Sequence, residues 1–234
     1  MPESEKSPLE SLAERLPELL KKLDNSLGND ATAADQADAF DLGCSLLTDL
    51  IDLLQQPDSP LQSLENTKGF GISIFNDGLK RFLEQEKELL QRFKLQPKHI
   101  DRVLAILTEA HTNKETRDLQ AESTQVIEAL SELKQIVCAI KVYAQEGNKI
   151  PAELIEACYD STFDLAVIVG DSAVIPFSIA HGNPGGVILG LTSIGVGVKN
   201  LRKHLGRARE FFQRFRSDRT ASDLKKKAPK KKLK

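Results

Sequence analysis

The stretch of 27 residues from Ser172 to Val198 contains no Asp, Glu, Lys or Arg. In a chain with 28% charged residues, so long an uncharged stretch has to leave water for a protein core or a lipid bilayer. With the apolar residues before it, the stretch forms two arms, Leu165–Ala180 and Val187–Val198, separated by a Gly- and Pro-containing break at residues 181–186. Because each arm is shorter than the roughly 20 residues of a spanning helix, we predict an apolar helical hairpin. The hairpin either dips into a membrane or forms the buried centre of a soluble bundle.

Glycine is frequent in the second arm, at positions 186, 190, 195 and 197. A helical glycine costs about 1 kcal/mol relative to alanine, so this spacing favours two backbones in close approach. A strand interpretation of the β-branched segments 187–189 and 196–198 stays open. The hairpin residues expected to face a membrane are mostly large and apolar: Val167, Ile168, Ile175, Phe177, Ile179, Val187, Ile188, Leu189, Gly190 and Ile194.

The residues before the hairpin predict amphipathic helices and therefore an all-α, multi-helix bundle. Leucines three and four apart run from Leu9 to Leu27 and predict a first helix that Pro17 kinks. Further helices are predicted over about 32–56, 72–94, 100–107 and 115–146, and from Pro151 onward. Glu86 interrupts the apolar stripe of helix 72–94, which we interpret as a solvent-exposed turn. The helix over 115–146 carries a seam with coiled-coil-like spacing: Val126, Leu130, Leu133, Val137, Ile140 and Ala144.

Charge is distributed unevenly along the chain. From residue 199 to 234 there are 15 Lys and Arg but only 3 Asp and Glu, although the whole chain has a net charge of −2. We predict a basic amphipathic final helix, typical of a helix at a membrane interface, followed by a disordered Lys-rich tail. The residues of this interfacial helix combine an apolar face with basic side chains: Leu201, Arg202, Lys203, Leu205, Arg207, Arg209, Phe212, Arg214 and Phe215. The predicted segments are an acidic bundle (1–163), the hairpin (164–198), the basic helix (199–217) and the tail (218–234).

Two carboxylates lie in or beside the first arm. Asp164 and Asp171 are seven apart, so a continuous helix places them on one face, where a carboxylate in apolar surroundings is costly and can act as a proton-sensitive switch. The interpretation we favour is that Asp171 instead begins a turn with Ser172. The three cysteines show no disulfide or metal spacing and are expected to be small buried hydrophobes in a reducing compartment.

The sequence contains no motif that indicates catalysis. The four histidines are scattered without ligand spacing, so neither a catalytic site nor a metal site is expected. The segment 185–192 resembles a phosphate-binding loop, but Leu191 stands where the essential lysine would be, and no cofactor is expected. We therefore expect a protein that is not an enzyme.

The order of the segments suggests a membrane-associating protein. Amphipathic helices, an apolar hairpin and a basic end are similar in arrangement to the helical pore-forming domains of the colicin type, which implies storage of the hairpin inside a soluble bundle until it enters a membrane. The expected partner is an anionic membrane, reached from the cytoplasm at its inner face, with the hairpin acting as an inserting element or an anchor. A second copy of the chain or another protein is a further candidate partner, and nucleic acid bound by the Lys-rich tail is a weaker one. The alternative is a soluble helical module for protein–protein interaction, with the hairpin as its core.

Overall fold

The computed structural model of the protein describes residues 8–56, 76–113, 122–180 and 184–227. These residues form helices and, within the described ranges, no strand, so the all-α prediction is confirmed and the strand interpretation is wrong. In chain order the helices are α1 (Pro8–Ala13), α2 (Leu16–Ser26), α3 (Ala33–Leu54), α4 (Asn76–Arg92), α5 (Pro97–Thr112), α6 (Ser123–Gln145), α7 (Ala152–Ala180) and α8 (Pro184–Lys227).

Several helix ends follow from local sequence signals. Thr32 caps α3 in a capping box, because its hydroxyl accepts the backbone N–H of Asp35 while the Asp35 carboxylate accepts the backbone N–H of Thr32. Gly147 ends α6 as predicted, with a φ of +81° that glycine adopts without strain. Pro17 lies in the first turn of α2, so the predicted kink is a break between two helices.

The two longest helices, α7 and α8, form an antiparallel pair at the centre of the bundle. Helix α7 contacts α1, α2, α4, α5 and α8. Helix α8 contacts α4, α5, α6 and α7. Residues 161–172 of α7 are buried without interruption, so this part of the helix is surrounded by protein on every side. Glycines allow the close approach, since an ideal Cβ on Gly197 would lie 3.1 Å from Ile168 Cγ1.

The helices around this pair present one apolar face each. Helices α3 and α6 pack together, and α6 also contacts α8. The six residues of the predicted seam on α6 are all buried. The boundaries predicted at residues 164 and 199 lie inside α7 and α8, and α8 includes the first ten residues of the predicted tail.

Two predictions about individual polar residues are wrong. Asp171 does not begin a turn with Ser172, because α7 continues through both residues and buries them completely. Glu86 does not mark a solvent-exposed turn of α4, since it is only 2% exposed. Each side chain is held inside by tertiary packing, which overrides the local preference for water.

The cysteine prediction is wrong for two of the three residues. Cys44 on α3 and Cys138 on α6 form a disulfide with a Cα–Cα distance of 5.6 Å. This bond links residues separated by 94 positions and fastens α3 to α6. Cys158 on α7 is a buried free thiol, as expected, and burial raises its pKa to about 12.

Candidate functional site

The predicted hairpin residues lie at the contact between α7 and α8 and in the core around it. Their side chains are buried at seven of the ten positions: Val167, Ile168, Ile175, Val187, Leu189, Gly190 and Ile194. Ile188 is half-buried, and the side chains of Phe177 and Ile179 lie outside the described part of the structure. The apolar surface that a membrane would have to receive is therefore covered by the bundle.

The basic half of α8 divides between the core and the surface. Leu201 and Leu205 are fully buried, and Phe212 packs edge to face on Tyr143 with ring centroids 6.2 Å apart. The basic side chains predicted at the interface are all exposed: Arg202, Lys203, Arg207, Arg209 and Arg214. The side chain of Phe215 falls outside the described residues.

Acidic residues of α6 bind part of this basic surface. Arg209 pairs with Glu132, and Arg202 Nη2 lies 3.6 Å from Glu128 Oε2. Lys199, Lys203 and Arg207 are spaced four residues apart, are exposed, and make no ion pair with any residue the structure describes. We call these three residues the cationic stripe.

Four buried polar side chains from four helices converge beside the contact between α7 and α8. Glu86 of α4, His111 of α5, Asp171 of α7 and Ser193 of α8 are each at most 2% exposed. We call them the buried polar cluster. Their convergence is a feature of the tertiary fold, because no two of them are close in sequence.

The two carboxyls of the cluster are neighbours. Asp171 lies beside Glu86, and both oxygens of Asp171 are buried without a hydrogen-bond partner. With both carboxyls ionised, neither could donate to the other. Gly170 leaves room for Glu86, since an ideal Cβ there would lie 3.3 Å from Glu86 Oε2. A hydrogen bond between the carboxyls therefore requires a proton on one of them.

Burial holds that proton in place. It raises the pKa of Glu86 to about 7, against the opposing effect of the hydrogen bond with Asp171. Burial also raises the pKa of Asp171 well above its ordinary value, and the neighbouring Glu86 carboxyl raises it further. Burial therefore favours a state in which the two carboxyls share one proton and can hydrogen-bond to each other.

His111 and Ser193 form the other half of the cluster. His111 Nε2 lies 2.9 Å from Ser193 Oγ, and Ser193 donates to the Leu189 carbonyl at 2.9 Å. With the hydroxyl proton used in this way, the histidine tautomer that donates from Nε2 completes the pair. Phe82 packs edge to face on His111 with ring centroids 5.5 Å apart. Since Ser193 is fully buried, no substrate reaches its hydroxyl in this structure.

A second buried carboxyl joins α7 to α8 near the basic half of α8. His204 Nδ1 lies 2.8 Å from Asp164 Oδ2, and Asp164 is fully buried. Burial raises the pKa of Asp164, while its hydrogen bond and charge interaction with His204 act in the opposite direction. Asp164 and Asp171 thus lie on one continuous helix, contrary to the favoured turn at Asp171, and contact different partners.

His99 lies in a third polar group, between α2, α5 and α7. Its Nε2 is 3.4 Å from Asp24 Oδ2 and 3.2 Å from the Tyr159 hydroxyl. Burial lowers the pKa of His99, and nearby Asp24 opposes that change. The guanidinium of Arg102 stacks on Phe163 at 4.2 Å and closes the group. These contacts connect three helices, consistent with the structural role expected for this histidine.

Neither a metal site nor a membrane-spanning helix is found among the residues that the structure describes. They contain no group of three or more His, Cys, Asp or Glu side chains that could hold a metal ion. Within the same ranges, no helix has a stretch both long and apolar enough to cross a membrane. The chain matches no protein-family model, no curated protein and no solved structure.

Proposed function

We propose that the protein is a non-enzymatic, membrane-associating helical protein that stores an apolar helix pair inside its bundle. It acts at the face of an anionic membrane. The observation that carries this proposal is the composition of α8, which runs without interruption from the uncharged second arm into the exposed cationic stripe. A surface that attracts acidic headgroups is thereby joined to the segment best suited to leave water.

Association with lipid has two stages in this proposal. In the closed bundle the apolar residues in the basic part of α8, such as Leu201 and Leu205, face the core. The protein's first contact with the membrane is therefore electrostatic and is made by the cationic stripe. Entry of the apolar pair then requires the helices that cover α7 and α8 to separate from them. Binding and insertion are therefore distinct measurements.

Vesicle flotation tests the first stage. Full-length protein should float with phosphatidylserine-containing vesicles at low salt, less at high salt, and not with pure phosphatidylcholine. Lys203→Gln/Arg207→Gln should weaken the partition coefficient by roughly thirtyfold, because a basic residue near an acidic surface contributes about 1 kcal/mol. Full-length protein that ignores acidic vesicles would contradict the proposal.

The matched control is Arg202→Gln/Arg209→Gln. It removes the same charge from the same helix, but these arginines already pair with Glu128 and Glu132 and should matter less. Removal of residues 225–234 tests the Lys-rich end separately. Deletion of all residues from 199 onward would not test binding, since it also removes the core residues Leu201 and Leu205.

An environment-sensitive fluorophore at Ile188→Cys tests the second stage. Ile188 is half-buried, while the native cysteines lie in a disulfide or in the core and should not take the label. A blue shift with acidic vesicles, and quenching by brominated acyl chains, are expected. The same label at Val142→Cys on α6, where the native side chain is 54% exposed, should not be quenched.

The second candidate function is a soluble module for protein–protein interaction, with a second copy of the chain or another protein as partner. The burial of Val167, Ile168 and Ile194 supports it, because these side chains are packed as they would be in a permanent protein core that never meets lipid. This candidate predicts a monodisperse protein that does not float, with an Ile188 label that does not respond to lipid. Binding of nucleic acid through the Lys-rich end would instead show as retention that falls linearly with log salt.

A further inference from the structure

The apolar face of α4 carries a carboxyl at its midpoint. Phe82, Glu86 and Leu90 follow one another at four-residue spacing, and all three are buried. This stripe lies against α5, α7 and α8. The charge state of Glu86 therefore acts at the centre of the surface that attaches α4 to the bundle.

We infer that Glu86 and Asp171 form a proton-dependent latch that holds α4 against the central helix pair. While one proton lies between the two carboxyls, they make a hydrogen bond across α4 and α7. When the proton leaves, two like charges face each other in an apolar site and α4 is pushed away. This inference concerns the bundle in water and does not depend on membrane association.

The surroundings of the two carboxyls supply no cation that would replace the proton. Ser193 faces Asp171 from α8, and His111 reaches Ser193 from α5. The inward faces of α1 and α2, which also contact α7, carry apolar residues and Ser26. Among the described residues, no lysine or arginine acts on either carboxyl.

The direction of the pH effect follows from linkage. Both carboxyls have a higher pKa in the closed bundle than in an opened state, where they return to ordinary values. The closed state therefore binds more protons than the opened state. The free energy by which these two carboxyls stabilise the closed state is complete at acid pH and is lost as pH rises. For Glu86 the loss lies between its ordinary value of 4.5 and about 7, and for Asp171 it begins at its ordinary value of 3.8 and continues up to its raised pKa.

Hydrogen exchange of the α4 amides on full-length protein without lipid tests the latch. After correction for intrinsic exchange rates, the opening constant of α4 should rise by about tenfold per pH unit for each proton released. Glu86→Gln and Asp171→Asn should each reduce this slope, and the double variant should remove it. Glu88→Gln, an exposed change on the same helix, should retain the wild-type slope.

Two outcomes would overturn the inference. One is wild-type α4 protection that stays constant from about pH 5 to pH 8, a result that needs no variant to fold. The other is a double variant with the wild-type slope, which would place the titrating group elsewhere. The double variant is nearly isosteric and uncharged, so a folded protein with flat pH dependence is the expected result.

Discussion

Gly190 of α8 lies directly against Ile175 of α7, where an ideal Cβ on the glycine would come within 2.9 Å of Ile175 Cγ1. A side chain fits there only if Ile175 shifts or the two helices move apart. The same Cβ would lie 3.7 Å from the Asp171 carbonyl oxygen, so the α7 backbone is also close. Glycine has a low helix propensity, so its presence inside α8 needs a reason. The close contact with α7 supplies that reason.

Gly190→Ala should therefore lower the melting temperature, and Gly190→Leu should lower it further, at an overpacking cost of about 1–3 kcal/mol. Gly206→Ala is the matched control on the same helix, because nothing lies within 4 Å of its ideal Cβ. Alanine there should stabilise the protein by about 0.5–1 kcal/mol. Thermal unfolding followed by circular dichroism measures both, and a Gly190→Ala variant that is stabilised like Gly206→Ala would show that the contact at residue 190 is loose.

Leu189→Asp should unfold or severely destabilise the protein. Leu189 is 3% exposed on the arm that the bundle encloses, so the variant buries a carboxylate without a partner. The expected loss is comparable with the whole stability of a domain, about 5–15 kcal/mol. Val142→Asp, at a site 54% exposed, should change the melting temperature little. Normal melting of Leu189→Asp would mean that the bundle is stable without this arm.

Thiol reactivity should distinguish the three cysteines. The native protein should have no reactive thiol, because Cys44 and Cys138 are paired and Cys158 is buried with its pKa raised to about 12. Unfolding without reductant should reveal one thiol, and unfolding with reductant all three. Three reactive thiols before reduction would exclude the disulfide.

Reduction should also destabilise the fold. In the chain-entropy model, a bond that closes a loop of 94 positions is worth about 4–5 kcal/mol. Denaturant unfolding with and without dithiothreitol measures the difference. Cys44→Ser/Cys138→Ser should match the reduced protein and be insensitive to dithiothreitol.

Features specified by neighbouring residues could be predicted from the sequence. The break near Pro17 and the helix end at Gly147 depend on a few adjacent positions, and so do the apolar faces of the helices. The uncharged stretch also indicated correctly that its residues are largely buried wherever the structure describes their side chains, although it left open whether protein or lipid covers them. That choice depends on how well the other helices enclose the pair.

Long-range contacts could not be predicted in this way. Glu86 seemed exposed because a charge on an apolar stripe usually is, and nothing near it in sequence indicates Asp171 on another helix. The bond between Cys44 and Cys138 likewise depends on the packing of α3 against α6. The spacing of Asp164 and Asp171 was the one local signal of a buried acidic site, and the preference for a turn at Asp171 obscured it.

His204→Ala tests the contact between His204 of α8 and Asp164 of α7. It removes the partner of fully buried Asp164, and an unsatisfied buried acceptor costs about 1–3 kcal/mol. Because His204 opposes the effect of burial on the pKa of Asp164, its loss should raise that pKa further. A carboxyl with a raised folded-state pKa stabilises the fold least at high pH, so the penalty should be larger at about pH 7 than at pH 4.

Denaturant unfolding at both pH values measures the His204→Ala penalty. As a control, Lys203→Ala at the exposed neighbouring position should change stability by less than about 0.5 kcal/mol. A His204→Ala penalty that is the same at both pH values would mean that His204 does not change the pKa of Asp164 in the folded protein, so that the histidine contributes packing alone.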